Sequence, residues 1–239
     1  GVEPLALLLE RAELGRGPVA PDGQHDALGR EALIQLVQRR APIYDKRQDG
    51  HCNLISVLHK SVRGSDPDAS LYWLARMLAG GEDPLYIARR LVRMAVEDIG
   101  LADPNALVQA IAAKDTYDFL GSPEGELALA QATIYLACAP KSNAGYVAFG
   151  VAQRVAEEGG SLLPPKHILN APTRLMKQEG YGKDYAYDHN EDEAFSGQNY
   201  FPDGMERQSF YAPTSYGYEA EIKERLDRWA GLRKTRNKR

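Results

Sequence analysis

Apolar residues recur at spacings of three and four through the middle of the chain. Leu71, Leu74 and Leu78, with Trp73 and Met77 beside them, form one broad face, and Ile87, Leu91, Met94 and Ala95 form another. Leu107, Ile111 and Ala112, then Leu127, Ala130, Ile134 and Leu136, continue the pattern. A period near 3.6 places such residues on one side of an α-helix. Before them, Leu54, Ile55 and Leu58 mark a helix over roughly Asn53 to Val62. The helix starts are punctuated. Asp66-Pro67, Asp83-Pro84, Asp103-Pro104 and Ser122-Pro123 each set a capping oxygen before a proline, which has no N–H to leave unpaired in a first turn. Ser142 is a fifth cap candidate. These starts lie 17, 20, 19 and 20 residues apart, room for one helix and a tight turn each. Gly64, Gly80-Gly81, Gly100, Gly121 and Gly159 sit where the helices should stop. Residues 51–158 therefore read as six consecutive helices whose short loops make neighbours antiparallel. Alanine and glycine are common over residues 125–150, which permits close helix approach. Two such intervals give a helix-pair period of about 39, within the α-solenoid range. The pairs share no residue pattern beyond their caps, so an all-α compact bundle is the expectation.

Both ends differ from this middle. A short helix fits Leu5 to Glu13, a Gly- and Pro-rich loop follows, and a second helix fits Arg30 to Arg40. From about residue 160 regularity fades, yet residues 160–218 hold seven of the 13 tyrosines together with Phe195, Phe201 and Phe210. That aromatic content argues against disorder, and no period of two argues for a sheet. The expectation is an irregular arm that lies along the bundle and buries rings, with one short helix near Thr173 to Glu179. A last amphipathic helix fits Tyr218 to Trp229, followed by a tail bearing Arg233, Lys234, Arg236, Lys238 and Arg239.

Composition narrows the chemistry. The 239 residues are 44% hydrophobic and 26% charged, with a net charge of −4. Bulk electrostatics therefore does not draw the chain to DNA or an anionic membrane, and any nucleic-acid contact needs a local basic patch. No apolar run is long enough for a membrane span, and Gly-Val-Glu-Pro does not open a secretory signal. Two cysteines make no disulfide framework, so a cytoplasmic setting is the expectation. Gly182-Lys183 is the nearest fragment of a phosphate loop, but Asp184 follows it and no strand precedes it. No Gly-x-Ser-x-Gly elbow is present. His51 and Cys52 are adjacent, so on a helix they point apart, and Cys138 reads as a core position. The five histidines lack metal-site spacing, and no metal is expected. Glu97-Asp98 is a carboxylate pair that Arg93, four residues earlier, accounts for as a helix ion pair. The acidic run from Asp188 to Glu193 reads as a solvated loop. Two basic groupings remain: His59, Lys60 and Arg63 on one helix face, and Arg89, Arg90 and Arg93 on another. Either can hold phosphates or be a solvated face. By residue chemistry alone this is a helical assembly or binding module, with a small-molecule site in the aromatic arm as a third reading.

Several runs carry a resemblance. They are residues 51–77 (HCNLISVLHKSVRGSDPDASLYWLARM), residues 81–100 (GEDPLYIARRLVRMAVEDIG), Ala139-Pro-Lys-Ser-Asn-Ala144, Asn170-Ala-Pro-Thr-Arg-Leu-Met-Lys177, and Gly180-Tyr-Gly-Lys183. Together they resemble the C-terminal half of the replication-associated recombination protein A family, also called the MgsA or Werner-interacting ATPase family, over about residues 43–230. Its members are AAA+ ATPases of the clamp-loader clade. The resemblance implies a domain like the clamp-loader collar, which joins subunits into an oligomer, a tetramer in bacterial members. It implies a whole protein that acts at stalled forks and DNA ends, hydrolyses ATP when stimulated by DNA, and contacts single-strand-binding protein in the nucleoid. The Walker A, Walker B, sensor 1 and arginine-finger motifs do not occur in these residues, and neither does the Gly-Asp-x-Arg-Arg sensor-2 helix. Hydrolysis, ATP and magnesium are accordingly expected to belong to another part of such a protein. On this basis residues 1–42 resemble parts of the AAA+ lid, 43–159 the collar, 160–232 the arm and last helix, and 233–239 a basic tail. The expected subunit contacts are Tyr72, Trp73, Arg76, Tyr86, Arg89 and Arg90, because large aromatics and arginine favour interfaces. The expected nucleic-acid contacts are His59, Lys60, Arg63, Arg93, Arg233, Lys234 and Arg236.

Overall fold

The computed structural model describes residues 48–236, and of residues 48–52 the backbone alone. Helices α1 (Gln48–Arg63), α2 (Pro67–Ala79), α3 (Pro84–Met94), α4 (Asn105–Leu120), α5 (Glu126–Cys138) and α6 (Ala144–Gly159) follow one another through short loops. A short α7 (Arg174–Gln178) and a final α8 (Tyr218–Arg236) complete eight α-helices among the described residues, with no strand. The expected helices over residues 5–13 and 30–40, the lid-like reading of 1–42, the His51 and Cys52 side chains, and Lys238 and Arg239 lie outside the described residues.

The caps act locally as the sequence suggests. Asp66 accepts from the Ala69 N–H at 2.9 Å and Asp83 from the Leu85 N–H at 2.9 Å, each with proline in the first turn. Asp103 accepts from Asn105 at 3.1 Å, and Thr173 caps α7. Ser122 is the exception. Its hydroxyl shares a hydrogen bond with the Tyr117 hydroxyl, and α5 starts only at Glu126.

Ile55, Leu58, Val62, Leu74, Met77, Ile87, Leu91, Met94 and Ile99 build one core across α1–α3 and the turn after α3. α4 and α5 close it, only in part with the faces that periodicity selects. Leu136 is buried and Ala130 packs on the core as expected, but the other large apolar residues of those faces are not buried. Ala106, Ala110 and Ala113 face inward on α4, and Leu129, Ala132, Thr133, Leu136 and Ala137 on α5. Leu107, Ile111 and Ile134 are exposed, and Leu127 is 76% exposed. Both helices are apolar on more than one side, so spacing alone does not set their rotation. Small side chains turn inward because the two helices pack closely.

Cys138, expected in the core, is exposed at the end of α5. Lys141 closes that end instead, donating to the Ala137 and Ala139 carbonyls at 2.9 and 2.6 Å. Burial pulls the Lys141 ammonium below its ordinary pKa.

The arm from residue 160 is irregular, as expected, and partly buries its rings. Phe195 stacks on Trp229 and Phe201 meets Phe210, each pair with centroids 6.2 Å apart, but Tyr185, Tyr187, Tyr200 and Tyr216 are exposed. The acidic run is not simply solvated. Asp188 accepts from the Ser196 N–H and the Tyr200 hydroxyl, Glu193 pairs with Arg228, and Glu191 with Arg236. The basic tail is corrected as well. α8 continues seven residues beyond Trp229, to Arg236.

Candidate functional site

The arrangement centres on the turn that follows α3. Residues 95–99 form a π-helical turn, a wider winding often found at functional sites. It carries Glu97 half-buried and Asp98 buried. Asp98 lies 2.5 Å from His59 Nε2 and 2.5 Å from Arg63 Nε, both on α1. Burial pushes the Asp98 carboxyl up, but the His59 and Arg63 hydrogen bonds outweigh it and hold the carboxyl below its usual range. His59 Nε2 also lies 3.0 Å from Arg63 Nη2, and the other ring nitrogen, Nδ1, stands 3.5 Å from Arg90 Nη2. The Arg63 guanidinium is raised by its hydrogen bond to Asp98, against desolvation.

The same turn connects to the arm. The Asp98 carbonyl accepts from the Ser142 N–H at 2.8 Å, and the Ser142 hydroxyl donates to Glu219 at 2.7 Å. Glu219, in the first turn of α8, is fully buried. It also accepts from the Tyr211 hydroxyl and from the Thr214 N–H and hydroxyl, each at 2.8 Å. Burial would raise its carboxyl, but these four hydrogen bonds hold it low, and burial beside Glu219 pushes the Tyr211 phenol up. Gly217 makes the joint possible. Its φ is +52°, and a Cβ there would stand 2.1 Å from the Ala102 carbonyl oxygen.

Two surface features flank this polar line. The first is a pocket of about 300 Å³ between α1 and α3, lined by Ile55, Ser56, His59, Lys60, Arg63, Tyr86 and Arg90. The second is an open groove of about 780 Å³ between α3 with its π turn, the start of α4, and α6. Val96, Leu101, Leu107, Tyr146 and Phe149 supply its apolar wall, all exposed, and Arg89 and Arg93 contribute charge. α6 packs mainly on the π turn and on residues 100–102. Ala148 is the one buried hydrophobic residue of α6, whereas Tyr146 is 57% and Phe149 66% exposed. A third and smaller cavity, about 250 Å³ between α6 and the arm, is lined by apolar side chains and glycines.

The residues expected to form subunit contacts divide among these places. Tyr72, Trp73 and Arg76 lie together on α2, with Trp73 edge-on to Tyr72 and Arg76 5.5 Å over the indole. Tyr86 and Arg90 line the small pocket, and Arg89 lines the groove while its guanidinium sits 5.6 Å over Tyr86. The expected nucleic-acid residues divide too. Lys60 is exposed and His59 is buried. Arg63 and Arg93 are bound to Asp98 and Glu97. Arg233 and Arg236 pack against the Phe195 ring, and Arg236 donates to the Phe195 and Asp192 carbonyls, so these two arginines fasten the arm rather than form a free tail. Burial lowers the Arg233 guanidinium pKa. Lys234 alone of the three is exposed.

Ligand atoms of His59, Glu97 and Asp98 lie within 4.8 Å of one another, close enough for a metal ion. Arg63 and Arg93 already balance both carboxylates, so the cluster favours internal ion pairs over a cation. Nor does the Gly182-Lys183 turn suit a nucleotide phosphate, since the Gly182 N–H donates to the Lys166 carbonyl at 2.9 Å. Glu219 and Thr214 carry no signal in the sequence, where Ser142 reads only as a helix cap and Tyr211 only as one ring of the arm. The run Ala139–Ala144 drew attention as a unit, but Glu219 lies 77 residues from Ser142 and no local pattern connects them.

A strandless helical bundle with an arm folded back on it fits a helical C-terminal domain of the AAA+ ATPases. Residues 64–230 match the family described as MgsA AAA+ ATPase C terminal, and the chain belongs to that family. It is 55% identical over 190 residues to the replication-associated recombination protein A of Coxiella burnetii, covering 79% of this chain and 43% of that protein. It is 50% identical over 197 residues to the protein of the same name from Escherichia coli K12, covering 82% and 44%. ATPase WRNIP1 of Dictyostelium discoideum is 46% identical over 185 residues, 77% of this chain and 21% of that protein. The chain thus spans less than half the length of these relatives. No helix among the described residues is long and apolar enough to cross a membrane.

Proposed function

We propose that this chain is the assembly module, or collar, of a replication and recombination ATPase, and that it joins copies of the protein into a homo-oligomer, a tetramer. The observation that carries this reading is the apolar groove beside α6. Its wall is built from large side chains that the fold leaves in water. Burying one such side chain contributes about 1.5–3 kcal/mol, and contiguous exposed apolar surface of this kind marks interaction sites. Arg89 and Arg93 at the groove, and Tyr72, Trp73 and Arg76 on α2, are residue types that suit interfaces. In this reading ATP, magnesium and hydrolysis belong to another part of the protein. The oligomer would work at stalled forks and DNA ends, with DNA and single-strand-binding protein as partners in the nucleoid.

The test is the solution mass by light scattering across a wide concentration range. The chain is expected to run as a stable oligomer. Phe149→Asp, at an exposed position, is expected to shift it to monomer by at least a hundredfold in dissociation constant, with unchanged far-ultraviolet circular dichroism. A wild-type monomer at every concentration would refute assembly through this module.

A further inference from the structure

We infer that the pocket between α1 and α3 is a phosphate-binding site, built to take one phosphate group of a polynucleotide backbone. Charge balance is the first argument. Arg63 and Arg93 match Asp98 and Glu97, with closest N···O distances of 2.5 and 2.7 Å. Lys60 and Arg90 are left over, and neither has a carboxylate within ion-pair distance among the described residues. Both line the pocket.

The second argument is an unmet donor. Arg90 Nε is buried and has no hydrogen-bond partner among the described residues. A buried N–H of a charged group without an acceptor is costly, and a bound oxyanion would supply one. The Arg90 Nη2 end faces His59 Nδ1, and Asp98 fixes His59 in turn, so part of the guanidinium is held before any ligand arrives. Ser56, Lys60 and Arg63 lie at four- and three-residue spacing on one face of α1, adding a hydroxyl and a mobile ammonium. A guanidinium, an ammonium and a hydroxyl drawn from two helices supply donors from several directions, which suits a tetrahedral oxyanion. The volume of about 300 Å³ exceeds a bare phosphate and leaves room for the attached sugar. This inference stands apart from the assembly reading, since none of its pocket residues supplies the apolar wall of the groove.

The test uses the whole 239-residue chain. One arm follows anisotropy of a labelled single-stranded oligonucleotide over a salt series. The other follows the thermal unfolding midpoint in inorganic phosphate against acetate at equal ionic strength. The variants are Lys60→Ala, Arg90→Ala, their combination, and Lys223→Ala outside the pocket. The double variant is expected to bind the oligonucleotide at least about tenfold more weakly and to lower the log–log salt slope by about 0.7, the share of one phosphate on a single strand. Lys223→Ala should change binding less than twofold. Loss of both oligonucleotide binding and phosphate protection in the double variant supports a site that also accepts free phosphate. Loss of oligonucleotide binding alone supports a site that reads the backbone. A folded double variant that keeps wild-type response to both probes overturns the inference, as does a wild type that responds to neither. If Arg90→Ala does not fold, Lys60→Glu at its exposed position serves, and unchanged oligonucleotide binding there overturns the inference equally.

Discussion

Asp98 shows how one residue can carry a stability that spacing alone does not reveal. Its neighbour Glu97 is explained by Arg93 four positions earlier, as the sequence suggests. Asp98 turns the other way and meets His59 and Arg63, 39 and 35 residues distant. Its folded carboxyl titrates below the unfolded one, whose ordinary value is about 3.9. The stabilisation is therefore complete above the unfolded value and is lost as pH falls through the folded value. Glu219 has the same sign. The urea midpoint is expected to fall as pH drops below the ordinary carboxylate range of about 4. Asp98→Asn should cost about 3 kcal/mol at pH 7 and show a shallower acid decline, measured by urea unfolding at each pH. An acid decline equal to that of the wild type would show that Asp98 is not one of the titrating groups. The charges at His59, Lys60 and Arg63 were legible as a helix face, but their separation into a buried ring, an open ammonium and a paired guanidinium was not. That separation depends on what α3 and its π turn place opposite.

At the scale of elements, caps and spacing located six helices closely, because an N-cap acts within one turn of the chain. Rotation about the helix axis is not local. On α4 and α5 two faces are apolar, and contact with α3 and α2 decides that alanines go inward and Leu107 and Leu127 outward. The end of α8 is also decided at a distance, by the arm residues that Arg233 and Arg236 hold. Glu219 is the bolt between arm and bundle. Glu219→Ala leaves Ser142, Tyr211 and Thr214 without their shared acceptor and should cost about 3 kcal/mol. Hydrogen exchange is expected to speed up across α8 and the arm while α1–α5 stay protected; equal acceleration throughout would mean that arm and bundle unfold as one unit. Gly217→Ala should weaken the same joint by about 3 kcal/mol, because the new methyl meets the Ala102 carbonyl. A thermal midpoint unchanged from wild type would contradict that packing.

For the whole molecule, the question is which surface remains after the chain has satisfied itself. α1–α5 share one core, α8 and the arm are tied to it through Glu219, and α6 keeps its large apolar residues outside. The Phe149→Asp prediction belongs here, since its effect should appear in the mass of the assembly and not in the fold of one copy. What the sequence by itself determined is what acts over a few residues: the helical class, the starts set by Asp and Pro, the irregular aromatic arm, and the runs that mark the family. Tertiary structure alone decided which apolar face is buried, which arginines are consumed by carboxylates, and which pocket is lined by Lys60 and Arg90, without a carboxylate partner among the described residues. The physical reason is range. Capping and periodicity are read within one or two turns, whereas burial and ion pairing depend on partners tens of residues away that only the folded chain brings within 3 Å.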